Sequence, residues 1–184
     1  MPRKKGNNYI IDETENIATI ELNRKNGDNL WTTIDLEDLE RVINFPYTWF
    51  AKYSTTIKDY YAAASVYHSE LKRSRPLHLH QFILNTNSNH VDHKNHKPRD
   101  NRKSNLREIS PSENYKNRDG KNSNNTSGYR NVSWDSRSEK WLVQLQINGK
   151  NKVLGKFEKD KLDEAGKFAE EMRRMYYGEY AGKS

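Results

Sequence analysis

Apolar residues occur in this chain only in short runs, and this limits the kind of core that the chain can build. Hydrophobic residues make up 33% of the 184 residues. With the nine glycines the apolar share is roughly 38%, below the about 45–50% that is typical of globular chains. We therefore expect several small packed units rather than one large core. No apolar run approaches the roughly 18 residues of a membrane-spanning helix, so the sequence predicts no membrane partner.

The chain contains no cysteine. Disulfides, cysteine-ligated zinc and a cysteine nucleophile are therefore excluded. This composition fits a reducing compartment, and the basic N-terminus lacks the apolar segment of a secretory signal. We expect a cytoplasmic location.

Basic residues are in excess, and the excess is unevenly distributed. The formal net charge is +7, which divides into zero over residues 1–75, +4 over residues 76–128 and +3 over residues 129–184. A polyanion is the partner that such a charge favours. The basic excess thus lies in the C-terminal two thirds of the chain.

Residues 1–75 are interpreted as a scaffold that carries no obvious chemistry. Residues 17–22 alternate between apolar and polar types, which is typical of a strand. Asp35 is predicted to cap a helix that runs to residue 43, because apolar residues recur there at helical spacing. Residues 57–68 fit two structures, since their alanines favour helix whereas their tyrosines and Val66 are compatible with a strand.

The central stretch, residues 76–118, predicts the order strand, loop, strand, helix. Residues 91–93 place an apolar residue before an aspartate and a histidine, both capable of metal binding or acid–base chemistry. A polar loop leads to a short second strand that begins at Asn105. Ser110 then begins a helix as its N-cap, and Glu113 completes a capping box.

This ordered set resembles the HNH endonuclease family, most closely its phage and intron-encoded branch. The resemblance implies a ββα-metal fold, in which a hairpin and a helix hold one divalent cation. It needs no gap between residues 91 and 107. The residues that carry it are His80, Gln81, Val91, Asp92, His93, Lys94, Asn95, Asp100, Asn101, Arg102, Asn105, Leu106 and Arg107.

The resemblance implies roles that suit phosphodiester hydrolysis, which needs an activated water and a cation on the phosphate. His93 matches the general base, and a neutral imidazole can accept the proton of water near neutral pH. Asp92 and Asn114 match metal ligands, whose oxygens suit Mg²⁺ or Mn²⁺. Asn105 matches the central asparagine that orients the base histidine across the hairpin. Phosphate contacts are expected from three arginines: Arg102, Arg107 and Arg118.

The remaining histidines have other interpretations. His80 matches a family position, and we expect it to be structural rather than catalytic. His78, His90 and His96 could in principle form a zinc cluster, although loop histidines in a basic, asparagine-rich stretch are more often solvated or close to phosphate. The chain also departs from the family pattern at two positions, since His96 stands where the loop usually has glycine and Gln81 replaces an arginine.

Residues 128–184 predict a second module, separated from the first by a polar linker at residues 119–127. Residues 141–147 alternate, and an asparagine–glycine turn leads to another strand at residues 152–157. Residues 161–177 carry apolar side chains at helical spacing. A three-stranded antiparallel sheet with one helix on its apolar face follows, and the chain as a whole is assigned to the α+β class.

This second pattern resembles the DNA-binding domain of plant ethylene-response factors, a module that is also fused to phage HNH nucleases. The resemblance implies that the outer face of the sheet enters a major groove of double-stranded DNA. Arginine there suits guanine or phosphate, and glutamine suits adenine. The alternative is that the exposed glutamines only form a solvated face. The matching contact positions are Arg130, Ser133, Trp134, Gln144, Gln146, Asn151 and Val153.

The sequence thus predicts a site-specific DNA endonuclease of the homing or phage mobile type. It is expected to use one Mg²⁺ or Mn²⁺ per active site and to act as a monomer or weak dimer. One alternative is a sequence-specific DNA-binding regulator with an inactive HNH fold, and another is a structural or RNA-binding protein. The intact set of Asp92, His93, Asn105 and Asn114 favours the nuclease over the regulator. The absence of an aromatic ribonucleoprotein motif disfavours RNA binding.

Overall fold

The computed structural model describes residues 6–25, 27–88, 90–117 and 120–182. It is a mixed α+β structure of small antiparallel sheets with few helices, and this confirms the predicted class. The chain forms two compact units, Met1–Ile109 and Ser110–Ser184. None of the helices in the described part of the chain is long and apolar enough to cross a membrane.

The first sheet of the N-terminal unit contains the predicted strand at residues 17–22. Ala18, Ile20 and Leu22 on that strand are fully buried. Alternate side chains of a strand point to opposite faces, so one face of the strand supplies the core. The sheet is antiparallel in the order β1 (Tyr9–Asp12), β2 (Ile17–Leu22) and β3 (Leu30–Asp35).

The helix predicted after β3 is shorter than expected. A 3₁₀ turn, Leu36–Asp38, precedes α1 (Leu39–Ile43). Asp35 makes no side-chain cap there, because its Oδ2 accepts a hydrogen bond from the backbone N–H of Lys103 at 2.7 Å. The carboxylate that was expected to cap the helix instead ties β3 to a distant loop.

The second sheet shows that residues 57–68 belong mainly to a strand. Ala63 and Ala64 lie on its central strand and are fully buried. Because that strand pairs with a neighbour on each side, its alanines fill positions with little space. The sheet is antiparallel in the order β4 (Trp49–Ser54), β5 (Asp59–His68) and β6 (Arg73–His78).

Gln81 has a structural function in α2 (Leu79–Leu84). Its Oε1 accepts a hydrogen bond from the backbone N–H of His78 at 3.2 Å, and its Nε2 donates to the carbonyl of Ser88 at 2.9 Å. Gln81 thus holds both the start of the helix and the segment that follows it.

The predicted central hairpin consists of β7 (Val91–His93) and β8 (Leu106–Glu108). Leu106 is 4% exposed and belongs to the same core cluster as Ile20, Trp49 and Leu79. The hairpin and the predicted scaffold therefore share one core, so the boundary proposed between residues 75 and 76 lies inside a compact unit.

The C-terminal unit contains the three strands and the long helix that the sequence predicts. Its first helix begins with the expected capping box, since Ser110 Oγ accepts from the N–H of Glu113 at 3.2 Å and Glu113 Oε2 accepts from the N–H of Ser110 at 2.7 Å. The elements are α3 (Pro111–Lys116), β9 (Val132–Asp135), β10 (Lys140–Ile147), β11 (Lys150–Phe157) and α4 (Leu162–Tyr177).

The β10–β11 turn and the packing of α4 both depend on glycine. Asn148 and Gly149 have φ values of 51° and 74°, and positive φ at both positions matches the twist of a two-residue hairpin. On α4, a Cβ at Gly166 would overlap the ring of Tyr129. The helix can approach this tyrosine because position 166 has no side chain.

Part of the predicted linker packs against the C-terminal sheet. Ser127 is 7% exposed, and its Oγ donates to the carbonyl of Val132 at 2.9 Å. Asn125 Nδ2 donates to the carbonyl of Tyr129 at the same distance. These bonds order residues near the end of the linker, because asparagine and serine satisfy backbone acceptors next to β9.

Candidate active site

The β7–β8 hairpin places Asp92 opposite Arg107 and His93 opposite Leu106. Neighbouring residues of a strand point to opposite faces, so the carboxylate and the imidazole have different surroundings. His93 is 6% exposed. Its ring lies 6.1 Å from the ring of Tyr61, measured between centroids.

The ring of His93 is held by Asn101. Nε2 of His93 lies 3.1 Å from Oδ1 of Asn101, which is itself 1% exposed. Burial lowers the pKa of His93, while the hydrogen bond with Asn101 and the charges of Asp92 and Asp100 oppose that effect. A lowered pKa keeps the imidazole neutral near pH 7, which is the form that can accept a proton.

His80 and His78 lie beside this ring. The centroids of His80 and His93 are 5.2 Å apart in an edge-on arrangement, and His78 stacks on His80 at 5.1 Å. Burial lowers the pKa of His80 to about 3, with further lowering from His93 and His78. His80 is therefore a neutral packing group at physiological pH, as a structural role requires.

Asp92 forms an ion pair with Arg107. The distance from Asp92 Oδ2 to Arg107 Nε is 2.8 Å, and the two side chains are only 11% and 12% exposed. The predicted metal ligand and the predicted phosphate contact thus hold each other in this structure. A carboxylate has about four lone-pair directions, so Asp92 can accept from Arg107 and still offer oxygen to a cation.

Arg102 is paired in a similar way. Its Nε and Nη2 donate to the two oxygens of Asp100 at 2.8 and 2.7 Å. Hydrogen bonding from Arg102 lowers the pKa of Asp100, although partial burial of the carboxyl opposes this. The predicted phosphate contact from Arg102 stays a prediction, and its side chain is 40% exposed.

Asn105 holds the loop between the two strands. Its Oδ1 accepts from the backbone N–H of Asn95 at 3.0 Å, and its Nδ2 donates to the carbonyl of Asp100 at 2.7 Å. The side chain therefore acts on the loop backbone, whereas the His93 ring forms its hydrogen bond with Asn101. Asn101 belongs to the motif, but its sequence position alone indicated no role.

The other predicted metal ligand, Asn114, lies on α3 in the C-terminal unit and is exposed. Arg118 lies outside the described residues. Within the described ranges, no group of three or more His, Cys, Asp or Glu side chains is placed to hold a metal ion, and this includes the alternative set of His78, His90 and His96. A Mg²⁺ ion needs fewer protein ligands, because it usually keeps several waters beside one or two carboxylates. One carboxylate and one amide oxygen are donor types that fit such an ion.

The outer face of the C-terminal sheet gathers most of the predicted DNA contacts. Val153 pairs with Gln144, and Asn151 pairs with Gln146. Val153 is 48% exposed. The contact residues Ser133, Gln144, Gln146 and Asn151 line one open pocket.

The register also places Lys156 on this outer face, which the sequence interpretation did not single out. Leu142 lies directly between Ser133 and Lys156 in the pairing of the three strands. Residues that pair directly share one face. We refer to Ser133, Leu142, Gln144, Gln146, Asn151, Val153 and Lys156 as the outer face.

Two predicted DNA contacts lie elsewhere. Arg130 is 5% exposed, and its guanidinium donates to the carbonyls of Lys116 at 2.6 Å and Ala181 at 3.1 Å. Trp134 pairs with Trp141, whose side chain packs with the core on the helix side of the sheet. Both residues are therefore structural in this geometry, because burial and strand alternation remove them from the outer face.

The bond from Arg130 to Lys116 also explains why α3, predicted as part of the nuclease core, belongs to the C-terminal unit.

No family model, curated protein or solved structure matches this chain. What the residues themselves provide is a buried neutral imidazole, an adjacent carboxylate held by an arginine, and a separate polar sheet face.

Proposed function

We propose that this chain is a metal-dependent DNA endonuclease of the HNH type. The observation that carries the proposal is the buried His93 ring, which burial keeps neutral and Asn101 holds by a hydrogen bond of 3.1 Å. A neutral, oriented imidazole is suited to remove a proton from an attacking water. Asp92 is its neighbour on the same strand and supplies a carboxylate oxygen.

The chain's own residues divide the work of hydrolysis. His93 accepts the proton of the water, and Asn105 keeps the intervening loop in place through the backbone of Asn95 and Asp100. Within the N-terminal unit, Asp92 is the residue that would hold a Mg²⁺ or Mn²⁺ ion. Such an ion supplies charge stabilisation at the scissile phosphate and at the leaving oxygen. Arg107 orients the Asp92 carboxylate across the hairpin.

The outer face of the C-terminal unit is proposed to bind double-stranded DNA. Its amide side chains can exchange hydrogen bonds with base edges, as Gln and Asn do with adenine. Lys156 adds a cation for the phosphate backbone. Binding and chemistry would then lie in different units of the chain.

The proposal is tested by incubating supercoiled plasmid with a limiting amount of purified protein, so that turnover is visible. Conversion to nicked or linear plasmid in the presence of Mg²⁺ or Mn²⁺, and its loss with a chelator, is the expected result. A His93→Ala preparation purified in parallel is the control for contaminating nucleases. Equal cleavage by both preparations would reject the assignment.

The second candidate is a DNA-binding regulator with an inactive HNH fold. The ion pair of Asp92 with Arg107 favours it, because the arginine already neutralises the carboxylate whose charge would attract the metal. It predicts that DNA binds without any metal-dependent cleavage. The plasmid experiment, combined with a mobility-shift assay of the same protein, distinguishes the two candidates.

A further inference from the structure

Thr32 lies behind the candidate active site, although residues 1–75 were interpreted as a scaffold without chemistry. It is a residue of β3 and is 1% exposed, as is Asn101. Asn101 Nδ2 donates to Thr32 Oγ1 at 2.8 Å, and Asn101 Oδ1 lies 3.1 Å from His93 Nε2. Two buried side chains of the central motif and one from a distant strand thus form a series of hydrogen bonds, from Thr32 through Asn101 to His93.

The direction of these hydrogen bonds is set at Thr32. A hydroxyl has one hydrogen to donate, and Thr32 Oγ1 donates it to the carbonyl of Arg99 at 2.9 Å. Towards Asn101 the hydroxyl can therefore only accept. Asn101 must present its NH₂ group to Thr32 and its carbonyl oxygen to His93. Because that oxygen is an acceptor, Nε2 of His93 must carry a hydrogen.

The opposite orientation of the amide is disfavoured. It would place Asn101 Oδ1 against Thr32 Oγ1, whose hydrogen is already used, so two lone pairs would face each other in a buried position. Buried polar groups without partners are strongly avoided. The orientation of the Asn101 amide thus follows from which atoms can donate and which can accept. It determines the tautomer of the neighbouring His93 ring.

The backbone makes this arrangement rigid. Thr33 N–H donates to the carbonyl of Arg99 at 2.9 Å, and Asn101 N–H donates to the carbonyl of Thr33 at 2.8 Å. The loop therefore pairs with β3 through two backbone hydrogen bonds. We call the hydrogen-bonded series of Thr32, Asn101 and His93 the relay. The Arg99 carbonyl that accepts from Thr32 is held in place by a second, independent hydrogen bond.

We propose that Thr32 and Asn101 are positioning residues that hold the neutral His93 ring in the tautomer with hydrogen on Nε2, so that Nδ1 is the nitrogen that accepts the proton. The catalytic part of this inference rests on the proposed nuclease function, whereas the tautomer itself does not. When water is activated, its O–H bond breaks, an N–H bond forms at Nδ1, and the electron pair stays on the oxygen. That oxygen bonds to phosphorus while the bond from phosphorus to the leaving ester oxygen breaks, and the electron pair of the broken bond goes to the leaving oxygen. Asn101 Oδ1 accepts from Nε2–H both before and after that transfer.

The direct test is the tautomer of His93 in the full-length protein. Protein labelled with ¹⁵N-histidine is studied by long-range proton–nitrogen correlation at a pH where the ring is neutral, and the His93 signals are assigned by their loss in His93→Gln. The inference predicts the pattern of the tautomer with hydrogen on Nε2 in the wild-type protein. The opposite pattern would overturn it, and this measurement needs no variant at position 32.

Variants at position 32 test the relay. Thr32→Ser keeps a hydroxyl and should keep the wild-type spectrum, whereas Thr32→Val removes the acceptor of Asn101 and should produce a second population with hydrogen on Nδ1. Thr19→Val makes the same change on neighbouring β2 and is the matched control. An unchanged tautomer in folded Thr32→Val would show that Thr32 does not set the ring.

Cleavage separates this inference from the proposed function. If the enzyme is active, Thr32→Val should lose roughly tenfold in single-turnover rate, because an incorrect tautomer removes the proton acceptor, and Thr32→Ser should retain most activity. If the wild-type protein shows the predicted tautomer but does not cleave DNA, the positioning stands and the nuclease proposal fails. If it cleaves DNA and shows the opposite tautomer, the positioning fails alone.

Discussion

Asp92 and Arg107 face each other across the β7–β8 hairpin, with Asp92 Oδ2 2.8 Å from Arg107 Nε and both side chains nearly nine-tenths buried. The two charges are therefore largely shielded from water, unlike those of an ion pair on the surface. Its partners also depend on each other, because removal of one leaves the other charge in a poorly solvated place.

We expect Arg107→Ala to lower the free energy of unfolding by about 3 kcal/mol, since it leaves the Asp92 carboxylate without its cation. Arg174→Ala is the matched control, because Arg174 pairs with Glu170 at the surface, where the two side chains are 74% and 43% exposed. For such a pair a loss of about 1 kcal/mol or less is expected. Urea unfolding of the two variants beside the wild-type protein measures both values, and equal losses would contradict the burial argument.

His93→Ala should lower the single-turnover cleavage rate by about 10²–10⁴ while DNA affinity changes little, because general-base catalysis typically accounts for that factor. The reason for retained binding is that the proposed DNA surface lies in the C-terminal unit. His68→Ala, at an exposed position on β5, is the control and should cleave at the wild-type rate. A His93→Ala protein that cleaves as fast as the wild type would remove this histidine from the mechanism.

Stability should decrease in acid because of His80. Its pKa is lowered to about 3 by burial and by His93 and His78, whereas in the unfolded chain it is about 6.5. Above pH 6.5 neither state holds the proton, so native stability is complete. Below pH 6.5 only the unfolded state binds it, and stability falls until the pH reaches about 3, by roughly 1.4 kcal/mol per pH unit.

The measurement is urea unfolding at pH 7.5 and pH 5. His80 should account for a loss of about 2 kcal/mol over that range. His80→Phe keeps an aromatic ring in the cluster and should lose this part of the dependence. If the wild-type protein and His80→Phe lost the same free energy of unfolding between the two pH values, the buried, neutral state of His80 would be contradicted.

Lys156→Ala should weaken DNA binding and reduce the slope of log affinity against log salt concentration by about one, because one phosphate contact is lost. Gln144→Ala should instead reduce discrimination between DNA sequences, by about 1–3 kcal/mol at one base pair. Lys167→Ala is the control, since Lys167 is exposed on α4, which packs on the other side of the sheet. Titration of labelled duplexes at several salt concentrations measures all three. An effect of Lys167→Ala as large as that of Lys156→Ala would show that only overall charge matters.

Elements that depend on neighbours in the sequence were predictable. The capping box at Ser110 and Glu113 involves residues three apart, and the turn at Asn148 and Gly149 needs only local positive φ values. The alternation on β2 and β10 likewise encodes which face is buried, because the period of a strand is two. Such signals act over a few residues and need no knowledge of the rest of the fold.

The candidate site itself was predictable only in part. Asp92, His93 and Asn105 stand out as a pattern of chemical groups along the chain. The roles of Asn101 and Thr32 do not, since their hydrogen bond joins residues 69 positions apart. Arg130 was likewise assigned to DNA from its sequence position, and its burial became evident only from its bonds to Lys116 and Ala181.

The physical reason is that side-chain type limits what a group can do, whereas partners decide what it does. An imidazole at position 93 can be a base in any fold, and the alternating residues of β10 must present two unlike faces. We infer that the nitrogen of that imidazole which carries the hydrogen depends on the loop amide of Asn101 and on the hydroxyl of Thr32, which lies in another sheet. Whether residues 57–68 become strand or helix depends on two flanking strands that supply backbone hydrogen bonds. These long-range contacts exist only after the chain has folded, and therefore only the tertiary structure specifies them.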